Sequence, residues 1–196
     1  MKERSRPYPR KVGGSEDAET FQSFIWAGSV TCETGFMTEL DALLARTVAD
    51  LEQIGAADES LAVLRDRGIG RLRGKPFLSP VGRAWRLGVV LLDRLGGLYE
   101  TGEITRAIEP QIAVTNRSAD AERKREYRRA AARGPFREGE TINHGFTPLD
   151  LSDAALREGS GPLSLVGDVV LVRLPSGSRI PLERYLADRV SLFQLD

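Results

Sequence analysis

The segment WRLGVVLLDRLGGLYETGEITRAI, residues 85–108, constrains the fold more than any other part of the chain. Trp85, Leu87, Val89 and Leu91 alternate with Arg86, Gly88, Val90 and Leu92, the period-2 pattern of a strand with one face on a core. A tight turn at Leu95-Gly96 or Gly96-Gly97 folds this run back onto 98–106 as a β-hairpin. Either register sets the Trp85/Leu87/Val89/Leu91 face beside Leu98, Gly102 and Ile104, and gathers Arg86, Tyr99, Thr101, Glu103 and Thr105 on the other. Gly102 leaves a gap in the buried face, and the expectation is that a helix or a large ring approaches closely there. The hairpin is read as core before it is read as a site.

Helical signals stand on both sides of it. Leu40, Leu43, Leu44, Val48, Leu51 and Ile54 share one helical face, with Thr38 as N-cap and Gly55 as stop. Asp58 is expected to cap a second, shorter helix through Leu61 and Leu64 that ends near Gly68. The following RGIGRLRGKPFLSPVGR has no period and reads as a long loop. Residues 118–133 read as a helix capped by Ser118 and stopped by Gly134-Pro135. A short strand is expected around Thr141 and Ile142, and a second hairpin from 163–174 across Pro175-Ser176-Gly177 to 178–182. The closing helix, 182–193, aligns Leu182, Tyr185, Leu186, Val190 and Phe193. Helices and strands segregate rather than alternate regularly, so the predicted class is α+β: antiparallel β-hairpins forming a small sheet packed against three or four helices.

Residues 1–36 are polar and punctuated by Pro and Gly, and the expectation is a disordered extension upstream of a start at Met37, followed by a single domain over 37–196. FIWAGSVTC resembles a short export leader ending at Cys32, but Glu16, Asp17 and Glu19 stand where a leader has no acid. One cysteine and one histidine rule out an internal disulfide, a four-cysteine zinc site and a multi-histidine metal site. No cofactor is expected. No apolar run is long enough to span a bilayer, and the expected location is the cytoplasm.

Lys plus Arg and Asp plus Glu number 28 each, so the balance points to no partner, but the distribution does. Seven basic residues stand against one acidic within 65–86, and seven against three within 117–133. Were both segments to face one way, their arginine forks would suit phosphate. Arg71, Arg73, Lys75, Arg125, Arg128 and Arg129 are the candidate phosphate- or nucleic-acid-binding residues, with Phe77, Trp85 or Tyr127 able to stack on a base. GIGRLRGK is not a Walker loop: three residues rather than four separate Gly70 from Gly74, and Pro76 replaces the magnesium-holding hydroxyl.

Catalytic residues are not identifiable. Cys32 with His144 is a conceivable nucleophile–base pair, and His144 near Glu138 or Glu140 a conceivable acid–base group. GRAWRLGVVLLDR, LYETGEITRAIEP, FREGETI and IPLERYLADRVSLF resemble a family of small actinobacterial proteins often labelled glutaminase, over roughly Met37 to the C-terminus. That resemblance implies an amide hydrolase with a pocket where His144, Glu138 or Glu140 meets Tyr99 and Glu103. The Ser-x-x-Lys of serine-dependent glutaminases is absent at every lysine. The leading expectation is a non-enzymatic binding protein with a polyanionic or nucleic-acid partner, a protein partner or homodimer being the other possibility.

Overall fold

In the computed structural model of the protein, residues 35–66, 74–109 and 118–194 are described. They belong to a compact unit, Thr34–Asp196. Cys32, Arg71, Arg73 and all but the last two residues of the expected extension lie outside the described residues. The elements in order are α1 (Gly35–Gln53), β1 (Glu59–Arg65), β2 (Phe77–Leu87), β3 (Val90–Asp93), β4 (Leu98–Glu100) and β5 (Glu103–Arg106). Then come α2 (Ala119–Ala132), β6 (Thr141–His144), β7 (Thr147–Pro148), α3 (Asp153–Glu158), β8 (Leu163–Val166), β9 (Val169–Arg173), β10 (Arg179–Pro181) and α4 (Leu182–Leu192). The class is α+β, with a seven-stranded sheet in the order β5-β6-β1-β2-β3-β4-β7 and a three-stranded antiparallel sheet β10-β9-β8.

The opening segment turns twice rather than once. β2 meets β3 across a two-residue turn at Gly88-Val89, and β3 meets β4 across a second turn at 94–97. Gly88 has φ +72°, a conformation disfavoured for any residue with a Cβ. Tyr185 of α4 locks that turn: its hydroxyl donates to the Leu87 carbonyl at 2.6 Å and accepts from the Val89 N–H at 2.9 Å. The early turn changes which residues share a face. Trp85 lies opposite Leu92, and Leu87 opposite Val90, so Trp85, Leu87, Val90, Leu92 and Leu98 form the buried face instead of Trp85, Leu87, Val89 and Leu91.

That face packs on Leu40, Leu44 and Leu51 of α1, Leu182, Tyr185, Leu186 and Val190 of α4, and Leu163, Leu165, Val170 and Val172 of the small sheet. A second cluster joins Ala62, Leu78 and Ile142 of the large sheet to Ala130 and Ala131 of α2. Leu61, Ala84, Leu91 and Tyr99 form a third.

Four expectations are corrected. The helix expected from Asp58 is the strand β1: it buries both Leu61 and Ala62, and a strand covered on both sides loses its alternation. The expected loop 67–83 contains the first half of β2, which pairs with β1 through a bulge beside Leu61 and Ala62. The strand expected over 163–174 breaks at Gly167-Asp168 into β8 and β9. β6 runs parallel to β1, so the large sheet is mixed rather than purely antiparallel. The helix predicted at 118–133 forms at Ala119–Ala132, with Ser118 accepting from the Ala121 N–H at 3.2 Å. Among the described residues, no helix is long and apolar enough to cross a membrane.

Candidate functional site

Helix α2 uses its two smallest apolar residues, Ala130 and Ala131, to seat its C-terminal half on the sheet. The preceding turns run over the Glu103 face of the terminal strand β5, where Arg123 reaches Glu103 and Tyr127 stacks on His144. A groove of about 630 Å³ runs between them. Lys124, Arg125, Tyr127 and Arg128 wall it on the helix side, and Ile108 and Glu109 continue the strand side. Glu103, Ile104, Thr105 and Arg106 all line it. Successive strand residues point to opposite faces, so a groove reached by four in a row follows the strand's edge and not one face.

His144 forms the floor. It sits on β6 directly across from Glu103, is buried, and stacks its ring on Tyr127 with centroids 4.0 Å apart and planes 24° apart. Burial holds its pKa below the ordinary histidine value, and the Glu103 charge opposes that only in part. The imidazole is therefore neutral at pH 7. An unfolded chain takes up this proton more readily than the folded one, so the stability contribution is fully present above the unfolded pKa of 6.5 and lost as pH falls toward the lower folded value. His144 is the chain's single histidine. The melting temperature should accordingly fall between pH 7 and 5, and the slope should flatten in His144→Gln. An unchanged slope would remove the assignment.

The groove's cations differ in how they are held. Lys124 pairs with Asp120 at 2.9 Å and Arg125 with Glu122 at 3.0 Å, and these partners hold both carboxyls below their usual range. Arg123 reaches from α2 to Glu103 at 3.4 Å and also binds Asp120 at 2.6 Å. Arg106 and Arg128 have no ion pair among the described residues.

Of the six residues singled out from sequence, Arg125 and Arg128 line the groove. Arg129 does not; it pairs with Glu122 at 3.1 Å. Lys75 is exposed and adjoins Pro76, whose carbonyl accepts from Arg133 at 2.8 and 2.6 Å, at the far end of α2. Arg71 and Arg73 lie outside the described residues, as does the Cys32 half of the proposed nucleophile–base pair. Arg106 and Lys124 were not singled out. The EITR alternation places Arg106 on a strand, but nothing local shows that the strand is terminal.

The acid–base pocket expected around His144 forms only with Glu103. Glu140 is engaged elsewhere: Ser60 donates to it at 2.5 Å and Arg83 at 2.9 Å. The Ser60 bond, aided by the Arg137 N–H and Arg83 against the cost of burial, holds its carboxyl below the usual range. Glu138 is exposed, and the Tyr99 hydroxyl donates to Asp93 at 2.7 Å. Arg83 also binds the Asp58 side chain and carbonyl, each at 2.7 Å, and Arg94 joins Asp58 to Glu52. Among the described residues, no His, Cys, Asp and Glu cluster suits a metal ion.

Arg83 is a fastener. Bonds to charged groups contribute about 1.5–3 kcal/mol each, but the Arg83 side chain is 47% exposed and solvent screens them. Arg83→Met should cost about 1–2 kcal/mol in urea titration; no loss would show that the network is adventitious.

The close approach at Gly102 is real, but the expected helix or ring is not what makes it. A Cβ there would overlap the His144 carbonyl and the Gly145 backbone, so the close approach is by the β6–β7 turn and not by a helix or ring. Because backbone cannot step aside, Gly102→Ala should cost about 2–3 kcal/mol in the same titration, and a neutral result would mean that the turn moves freely. No known protein family, curated protein or solved structure matches the chain.

Proposed function

We propose that this protein is a non-enzymatic binding module whose groove between β5 and α2 holds an anionic partner. One observation carries the reading: Arg106 from the strand and Lys124, Arg125 and Arg128 from the helix line one groove, and neither Arg106 nor Arg128 has an ion pair among the described residues. Guanidinium groups held on two separate rigid elements make a preformed anion receptor. Lys124, exposed and paired with Asp120, can exchange that partner for a ligand's carboxylate, and the half-buried Arg125 adds to the field. His144, neutral and stacked under Tyr127, shapes the floor without adding charge. The single cysteine supports a cytoplasmic setting for this reading.

The test is fluorescence anisotropy with labelled poly-glutamate, heparin and single-stranded DNA at 50 and 200 mM salt. At least one polyanion should bind and weaken steeply with salt, as counterion release and screening require. The double reversal Arg106→Glu with Arg128→Glu should reduce that affinity by about tenfold or more, with its circular dichroism unchanged. Binding indifferent to the double reversal, or no binding by any polyanion, would overturn the proposal.

A further inference from the structure

β5 is the terminal strand of the seven-stranded sheet, and among the described residues it pairs with β6 alone. The direction in which its backbone groups point follows from one bond. The Ala107 N–H donates to the Glu140 carbonyl at 3.1 Å. In an antiparallel pair, hydrogen-bonded positions alternate. Thr105 and Glu103 therefore exchange bonds with β6, and Ile104 and Arg106 turn their backbone groups to the open side. The Arg106 carbonyl is taken by the Ile108 N–H at 2.8 Å. What stays presented to the groove is the Ile104 N–H, the Ile104 carbonyl and the Arg106 N–H, which is the repeat needed to receive one more strand.

The two ends of the sheet are treated differently. At the far end, β7 has two residues and one is Pro148, which cannot donate to a further strand. β5 has no proline, and it carries Ile104 and Thr105, residues suited to a pleated ribbon. Ile104 is 47% exposed and Ile108 42% exposed. The groove thus has an open strand edge on one side, a helix on the other, and exposed aliphatic groups along the strand. That geometry is the one in which an extended peptide is held by main-chain bonds to the edge and by side-chain contacts to the helix.

From this we infer that the partner is an extended acidic peptide segment, which adds as a strand to β5 with its carboxylates facing α2. The inference rests on the anion-binding reading above and names the anion. Charge complementarity selects the occupant. On the α2 side the groove is lined by three cations, Lys124, Arg125 and Arg128, and by Glu103, which Arg123 engages, whereas Arg106 shares the face of Ile104. The cations Lys124, Arg125 and Arg128 stand on the face of β5 that carries Glu103 and Thr105, the face on which Tyr127 stacks on His144. Ile104 lies on the opposite face. An added strand alternating Glu with Val would set its carboxylates against α2 and its valines beside Ile104. A nucleic acid would use the cations but leave the strand edge unanswered.

The probe is a labelled eight-residue peptide of alternating Glu and Val, measured by anisotropy against the full chain. It should bind, and hydrogen exchange should slow at the Ile104 and Arg106 amides while Thr105 is unaffected. Two N-methylated versions follow, one methylated on every Glu nitrogen and one on every Val nitrogen. Alternate N–H groups of a strand face one edge, so one version should lose affinity about tenfold or more and the other keep it. Ile104→Pro removes an outward N–H without touching a bond to β6; it should lose the peptide while still binding heparin.

Equal effects of the two methylations, or peptide bound without protection of Ile104 and Arg106, would overturn strand addition and leave the anion groove standing. Preference for single-stranded DNA over the peptide, lost in the double charge reversal, would do the same. Failure of every polyanion would take both readings down.

Discussion

Trp85→Ala should destabilise the fold by about 3–5 kcal/mol, the range for deleting a buried tryptophan. Trp85 has no exposed surface and is among the largest fully buried side chains. It lies where α1, α4, the β2–β3 hairpin and the small sheet meet, so the cavity left by its loss has walls on four sides that cannot all close. Two further contacts are lost with it. The indole N–H donates to the Ala56 carbonyl at 2.9 Å, tying the end of α1 to the sheet, and the Arg94 guanidinium lies 5.1 Å from the ring centroid. In a unit of this size each kcal/mol shifts the melting temperature by about 2–4 °C, so a drop on the order of 10 °C is expected. Trp85→Phe should recover part of the loss by filling volume, but not the bond to Ala56. A drop of only a degree or two in the alanine variant would contradict the core described above.

Asn143→Ala should cost about 3 kcal/mol although it removes few atoms. Asn143 is fully buried in β6; its carbonyl accepts from Arg86 at 2.6 Å and its amide donates to Glu59 at 2.7 Å. Burial pulls the Arg86 guanidinium below the ordinary arginine value, and the Glu59 charge only partly opposes this. Without Asn143 a half-buried guanidinium and a carboxylate each lose a partner, and the cost is that of leaving charge unsatisfied more than that of the bonds themselves. The position also matters for the groove. Asn143 stands between Leu61 of β1 and Ile104 of β5, so β5 hangs on the strand that this network anchors. Exchange at the Thr105 amide should accelerate in the variant, and anion affinity should fall with it. A double-mutant cycle with Arg86→Met checks the mechanism: the two losses should be far from additive. Additive losses would mean that the bridge is not the source of the effect.

Helix α2 was readable because its cap, its acidic first turn and its Gly-Pro stop all fall within residues 118–135. The hairpin character of 85–106 was readable too, and the expected turn forms at 94–97, but a second, earlier turn at Gly88-Val89 was not legible. Leu95-Gly96-Gly97 is the richer turn composition, and the residue that selects Gly88-Val89 is Tyr185, far away in sequence. β1 was misread because SLAVL buries neighbours on both faces, which leaves no period to detect. The candidate site was half legible: Arg125 and Arg128 came from charge clustering, whereas Arg106 and the floor at His144 depended on strand order.

What the sequence by itself determined is local: the helices at the N-terminal leucine face, at 118–133 and at 182–193, the Ser118 cap, and the hairpin character of 85–106 and 163–182. Those outcomes follow from backbone bonds and side-chain spacings a few residues apart. What only the tertiary structure decided is the pairing of β1 with β6, which joins residues 60–62 to 142–144, and the consequent placing of β5 at the sheet's end. Such pairings are set by which apolar faces can be buried together, a property of the whole chain. The groove exists only because that packing left one strand edge beside a basic helix.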